Sequence, residues 1–286
     1  MRVFILGGHG MLGGYLADTF SFAEVRQWGR SECDCTDADA VHAALETVRP
    51  DIVINAAAYT AVDRAEEEPD RADAINATAV AILANASAAV GATFVHCSTD
   101  YVFPGTSAVG WCEDDAPQPI NAYGRSKARG EEQVRMIAAA HPAWSWYIVR
   151  TSRLFGRAGT SPSAKQSFLE TILARARSQD RLEVVHAEMA APTYAADLAT
   201  AMLDLVRTRA ASGIYHRTND GGCTWYEFAA AALREVAWKG TLVPVPSRAY
   251  PRPARRPAYS VLKSTKLPPL RSWETALHAY LAHRSL

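Results

Sequence analysis

The stretch RVFILGGHGMLGGYLADTF, residues 2–20, reads as a strand, a turn and a helix. RVFIL is a short apolar run, GGHGMLGG supplies the breakers, and MLGGYLADTF carries apolar residues at helical spacing. Gly7, Gly10 and Gly13 make a G-x-x-G-x-x-G pattern across the turn. A turn of this kind lets the backbone close on a pyrophosphate, while the first N–H groups of the helix, which have no intrahelical partners, face the anion. The expectation is a dinucleotide site.

The same unit repeats outward from that start. AEVRQW (23–28) reads as a second strand with DADAVHAALETV (37–48) as its helix, and DIVINAA (51–57) as a third strand leading into ADAINATAVAILANASAAV (72–90). TFVHCS (93–98) and WYIVRT (146–151) are further strands, separated by a helix that begins near Asn121. Short apolar runs alternating with amphipathic helices imply a parallel sheet covered on both faces, because parallel neighbours need crossover connections. The fold class expected is α/β: a doubly wound parallel sheet of Rossmann type over 1–150, with a smaller C-terminal substrate domain over 151–286. In the second part come a Gly/Ser-containing loop (156–164), a helix (165–178), a strand LEVVH (182–186), a helix (194–208), GIYHRT (213–218), a helix (224–238) and the proline-rich VPVPSRAYPRPARRP (243–257). Segments near 182–210 are candidates to rejoin the first sheet.

Composition narrows the function classes. Thirty basic residues balance thirty acidic ones, so no global field draws the chain to nucleic acid or to a membrane surface. Any anion must therefore be held locally. Glycine and histidine interrupt the first apolar run at once, leaving neither a signal-peptide core nor an apolar span of about 20 residues. A cytoplasmic protein is expected. The five cysteines lack Cys-x-x-Cys spacing, so neither a disulfide framework nor a zinc site is expected, and no metal is assigned.

The cofactor's identity turns on the end of the second strand. An acidic side chain there accepts hydrogen bonds from the ribose of NAD and repels a 2′-phosphate. Here the segment reads RQWGRS, with no carboxylate until Glu32, so NADPH is expected, with Arg30 and Ser31 as the phosphate contacts. Asp34 is placed either to accept from the adenine amino group or to cap the next helix.

YGRSK (123–127) puts Tyr123 one helical turn ahead of Lys127. A second Tyr-x-x-x-Lys, Tyr259 to Lys263, sits among prolines away from any strand–helix unit and is given no role. Tyr123 instead opens the helix after the fourth strand, whose end carries Thr99, and strand C-termini converge on the cofactor crevice in a doubly wound sheet. These residue types suit ketone reduction. As the carbonyl carbon is reduced its oxygen gains charge and must be protonated, and a phenol of ordinary pKa near 10 needs a neighbouring cation to serve at neutral pH. Lys127 is the expected cation and a cofactor-ribose contact, and Thr99 the expected second donor to the oxygen. RPARRP (252–257) offers Arg252, Arg255 and Arg256 on a stiff loop, with Arg255 and Arg256 as candidate contacts for a nucleotide diphosphate.

GGHGMLG (7–13), RPDIVINAAAYTAVDRAEEEP (49–69), STDYVFPG (98–105), YGRSK, RTS (150–152), APT (191–193) and YPRPARRP (250–257) occur in the order found in dTDP-4-dehydrorhamnose reductases, which the chain resembles over nearly its whole length. These are extended short-chain dehydrogenase/reductases. The resemblance implies reduction of the 4-keto group of a dTDP-linked 6-deoxyhexose by NADPH, with NADH also accepted. It implies Thr99, Tyr123 and Lys127 as the catalytic set. Gly7, Gly10, Met11, Leu12, Asp34, Ala56, Ala57 and Ala58 fall at cofactor positions, to which Ser98, Tyr123 and Lys127 are added, and Thr60, Val62, Asp100 and Tyr101 fall near the sugar. Three positions depart from the pattern. Arg153 replaces a tryptophan that packs on the sugar and is expected to pair with an oxygen or phosphate. Ala190-Ala191 stands where many members have a glycine, and Tyr15 replaces a glutamate that in some members helps hold magnesium at a dimer contact. A related 3-ketoreductase or epimerase and a non-enzymatic regulatory subunit are the alternatives. The oligomeric state is open, with a homodimer the assembly considered.

Overall fold

A computed structural model of the chain describes residues 1–162, 164 and 166–284. Ser163 of the expected loop and Lys165 of the expected helix lie outside the described residues. The first half runs β1 (Arg2–Leu6), α1 (Met11–Thr19), β2 (Glu24–Trp28), α2 (Ala38–Val48), β3 (Ile52–Asn55), α3 (Arg64–Glu67), α4 (Pro69–Asp73), a π-helical turn (Ala74–Thr78), α5 (Ala79–Ala89), β4 (Thr93–Thr99) and α6 (Ala122–Ala140). The second half runs β5 (Trp146–Thr151), β6 (Leu154–Phe155), α7 (Phe168–Ala176), β7 (Arg181–Val185), β8 (Met189–Ala190), β9 (Thr193–Tyr194), α8 (Ala195–Arg207), β10 (Gly213–His216), β11 (Cys223–Thr224), α9 (Trp225–Glu235), β12 (Thr241–Val245) and α10 (Trp273–His283).

Six strands form one sheet in the order β10-β5-β4-β3-β1-β2, and every pairing is parallel. Successive side chains in a strand point to opposite faces, and here both faces are apolar. Val3, Ile5, Val95 and Val149 pack on Leu12 and Leu16 of α1 and on Leu198 and Met202 of α8. Phe4, Val53, Phe94 and Ile148 pack on Leu45 of α2, Leu83 of α5 and Val134 of α6. This is the doubly wound sheet that the alternating pattern implies.

Of the segments near 182–210, α8 covers the first sheet, whereas β7 pairs in parallel with β12. β10 then adds the sixth strand beside β5. A separate cluster around Phe155, Phe228, Trp273 and Tyr280 joins α7, α9 and α10. Helix α9 begins with a capping box, in which Thr224 accepts from the Glu227 backbone N–H and the Glu227 carboxylate accepts from that of Thr224.

The helix expected over 72–90 is present within a continuous helical run over 69–89 that contains one π-helical turn. Its first part winds into the π turn at Ala74–Thr78, which buries Asn76. The Asn76 amide accepts from the Tyr59 backbone N–H (2.9 Å) and donates to the Tyr59 carbonyl (3.1 Å) and the Ser126 hydroxyl (2.9 Å). One side chain thereby ties the loop after β3 to α6.

Candidate functional site

A cleft of about 670 Å³ runs along the C-terminal ends of the strands, from the glycine turn to Tyr123 and Lys127. Its position follows from the topology, since loops after parallel strands all open on that edge. Gly7 has φ +71°, and a Cβ there would stand 2.7 Å from the Ala57 nitrogen; a Cβ on Gly13 would overlap the Gly7 carbonyl. The turn is therefore closed to any larger residue. Gly10 caps α1 with no side chain in the way, so the first N–H groups of that helix face the cleft.

Gly7, Gly10, Met11, Leu12, Ala56, Ala57, Ala58, Ser98, Tyr123 and Lys127, all expected at the cofactor, line the cleft, as do Arg30 and Asp34 at the end beyond β2. Ser31 is exposed and lies off the lining. Asp34 accepts from the backbone N–H and hydroxyl of Thr36 (3.0 and 2.7 Å), which lowers its pKa. The helix cap is Asp37, which accepts from the Ala40 N–H at 3.0 Å, so capping is not the task of Asp34. Glu32 folds back to accept from the Gly29 N–H at 2.8 Å.

Asn121 caps α6, accepting from the Gly124 N–H at 2.7 Å, and so fixes where Tyr123 leaves the first turn. The Glu66 carboxylate accepts from the Ala122 N–H at 2.7 Å and holds the same turn from α3. Lys127 is buried, donating to the Cys97 carbonyl at 2.7 Å with His96 Nε2 at 3.3 Å. The Thr99 hydroxyl donates to the Asp100 carboxylate (3.1 Å) and accepts from the Tyr101 N–H (3.2 Å). Tyr101 stacks edge-on against Tyr123, with ring centroids 5.8 Å apart.

The electrostatics correct one expectation. Burial holds the Tyr123 phenol above its ordinary range, a hydrogen bond with Thr99 pulls the other way, and Cys97, Asp100 and Tyr101 push it further up. The lowering expected from Lys127 is not among these influences. Lys127 is itself displaced downward by burial, against the opposing pull of Cys97 and Glu131. Burial also raises Asp100, partly offset by hydrogen bonding from Ser260 (2.5 Å) and by the charge of Arg153.

Among the expected sugar contacts, Thr60, Asp100 and Arg153 line the cleft, while Val62 and Tyr101 do not. Arg153 takes a left-handed backbone, φ +44°, which a non-glycine residue adopts only at a cost of order 1–3 kcal/mol. Its guanidinium donates to the carbonyls of Cys223 (2.8 Å) and Glu188 (2.9 Å) and lies 4.0 Å from the ring centre of Trp225. The oxygens it meets are thus backbone ones. Arg255 is exposed, Arg256 pairs with Asp63 at 2.8 Å, and Arg252 pairs with Glu188; none of the three lines the cleft. Tyr15 packs against Arg157 and Tyr194. Among the described residues no three His, Cys, Asp or Glu side chains gather as a metal site, and no helix is long and apolar enough to cross a membrane. Tyr259 and Lys263 lie in an extended segment beside Trp111.

Sequence reasoning missed three contributors. Trp225 and Glu188 come from distant segments and buttress Arg153 only through the fold. The segment after β6 forms one wall, with Ser161, Ala164 and Gln166 in the lining and the Ser161 N–H donating to the His9 carbonyl at 3.0 Å. Its Gly/Ser content was the available signal.

A glycine turn at a helix start, joined along one sheet edge to a Tyr/Lys pair one helical turn apart, defines a dinucleotide-dependent oxidoreductase of the short-chain dehydrogenase/reductase class. The chain belongs to the dTDP-4-dehydrorhamnose reductase family: the family model described as the RmlD substrate binding domain matches residues 1–285. It is 37% identical to a dTDP-4-dehydrorhamnose reductase of Burkholderia thailandensis, over 93% of this chain and 92% of that one. It is 40% identical to a probable dTDP-4,6-dihydroxy-2-methyloxan-3-one 4-ketoreductase of Streptomyces antibioticus, over 97% and 93%. The crystal structure of a dTDP-4-dehydrorhamnose reductase from Bacillus anthracis in complex with NADP superposes with a TM-score of 0.92 at 34% identity, covering 99% of both chains.

Proposed function

We propose that the chain is a cytoplasmic, NADPH-dependent reductase of the 4-keto group of a dTDP-linked 6-deoxyhexose, either dTDP-4-dehydrorhamnose or a related sugar of secondary metabolism. The observation that carries the proposal is the convergence of Thr99, Tyr123 and Lys127 on the cleft that begins at the glycine turn. The residues fit the cofactor: Gly7 and Gly13 leave room only for backbone to meet a phosphate, and the Thr151 hydroxyl, buried in the cleft wall, has no partner among the described residues. NADPH, when bound, supplies the hydride that reduces the carbonyl carbon. The protein's residues manage the oxygen. Tyr123 donates its phenolic proton to it, Thr99 turns its hydroxyl from Asp100 to donate a second hydrogen bond, and Lys127 replaces the proton that Tyr123 gives up. Arg30 meets the 2′-phosphate, and Thr60, Asp100 and Arg153 border the sugar.

The test is to supply NADPH with a panel of dTDP-linked 4-keto and 3-keto deoxyhexoses, follow cofactor oxidation and identify each product. Oxidation with the 4-keto sugars and a new alcohol at C4 is expected. Turnover only with 3-keto sugars, epimerisation without net oxidation, or no turnover at all would overturn the proposal in favour of a 3-ketoreductase, an epimerase or a binding subunit respectively.

A further inference from the structure

Thr151 ends β5 as the register partner of Thr99 in β4, so the two side chains lie on the same face of the sheet at its C-terminal edge. Both line the cleft, but their hydroxyls differ. That of Thr99 is engaged by Asp100 and the Tyr101 N–H, whereas Thr151 Oγ1 is buried with no hydrogen-bond partner among the described residues. Thr151 as a whole is 5% exposed. Its same-face neighbours, Val149 in β5 and Val95 and Cys97 in β4, offer no strong acceptor, and the hydroxyl of the adjacent Ser152 is itself buried with no partner among the described residues, so it does not pair with Thr151. A buried hydroxyl left unpaired costs about 1–3 kcal/mol. No neighbouring side chain relieves that cost, so a ligand is the natural partner.

The strand order says which part of which ligand. The glycine turn follows β1, and Trp28, Gly29 and Arg30 line the cleft beyond β2. A dinucleotide with its pyrophosphate at the glycine turn extends one nucleoside toward β2, and must carry the other across β3 and β4 toward β5. Thr151 stands at that far end. A hydroxyl both donates and accepts, and a primary carboxamide offers both complements, whereas a ketone only accepts.

Resting on the proposed reading of the cleft as an NADPH site, we infer that Thr151 is a cofactor-positioning residue whose hydroxyl hydrogen-bonds the nicotinamide carboxamide. Thr151→Val removes the hydroxyl and keeps the side-chain shape. The variant is expected to bind NADPH about tenfold more weakly, while its affinity for adenosine 2′,5′-bisphosphate, which lacks the nicotinamide half, stays at the wild-type value. Without ligand its unfolding midpoint should match or exceed that of the wild type, because an unpaired buried hydroxyl has gone. Thr151→Ser should restore NADPH affinity. Equal NADPH binding by the valine variant and wild type, an equal loss for both ligands, or a lower midpoint without ligand would each overturn the inference. Failure of the wild type to bind NADPH would instead overturn the functional proposal on which it rests.

Discussion

Tyr123 and Lys127 are displaced in opposite directions by the same burial: the phenol is driven up and the ammonium down. In the direction of reduction Tyr123 must hold its proton until the oxygen takes it, so an upward displacement keeps the donor form in place. As pH rises, Lys127 is therefore the group whose proton is lost first. The basic limb of kcat/KM, which reports groups of the free enzyme, should fall below the ordinary lysine value of about 10.4. Lys127→Arg keeps its charge throughout and should move that limb upward while lowering the plateau. A wild-type limb at or above the ordinary value, or one unmoved by arginine, would assign it to another group. Asn121, Glu66 and Asn76 act at this scale too, since each places α6, and hence Tyr123, through one or more side-chain hydrogen bonds.

Among the elements, the turn between β1 and α1 leaves the least room. Gly13→Ala should weaken NADPH binding more than tenfold in a direct titration, because the added methyl collides with the Gly7 carbonyl and must push α1 off the strand. Gly213→Ala at the start of β10 is the control. No atom lies within 4 Å of its would-be Cβ, and it should leave binding unchanged and stability equal or higher by up to about 1 kcal/mol. Equal binding by both variants would show that the turn does not cradle the cofactor. The contrast also explains what could be read in advance. The glycine turn, the strands β1, β3, β4 and β5 and the helix after Asn121 are written in local spacing and caps. The covering of the sheet by α8, the addition of β10 and the π turn at Ala74–Thr78 depend on which apolar face meets which, and on an Asn76 side chain reaching a loop and a helix far along the chain. For the same reason the pairing of Arg256 with Asp63, far apart in the chain, is not legible from its neighbours.

In the molecule as a whole, a buried ion pair locks the sheet to α6 behind the site. Arg150 of β5 grips Glu131 of α6 in a bidentate pair at 2.9 and 2.6 Å, with the two side chains 1% and 3% exposed, and Ser98 donates to the same carboxylate at 2.5 Å. Removing one member leaves the other charge buried and unpaired. Glu131→Ala should cost about 3–5 kcal/mol, read as a fall in the denaturation midpoint, and a loss under about 1 kcal/mol would mean that water reaches Arg150. The lock keeps Ser98, Thr99 and Tyr123 on one wall while the segment after β6 closes the other. What joins fold to function is the delivery of a proton from residue 123 within that cleft. The decisive measurement is the turnover of Tyr123→Phe with NADPH and whichever dTDP-linked 4-keto sugar the wild type reduces, alongside a titration of NADPH binding. A kcat lower by on the order of 10²-fold or more with cofactor affinity retained is expected; a kcat equal to that of the wild type would rule out Tyr123 as the proton donor.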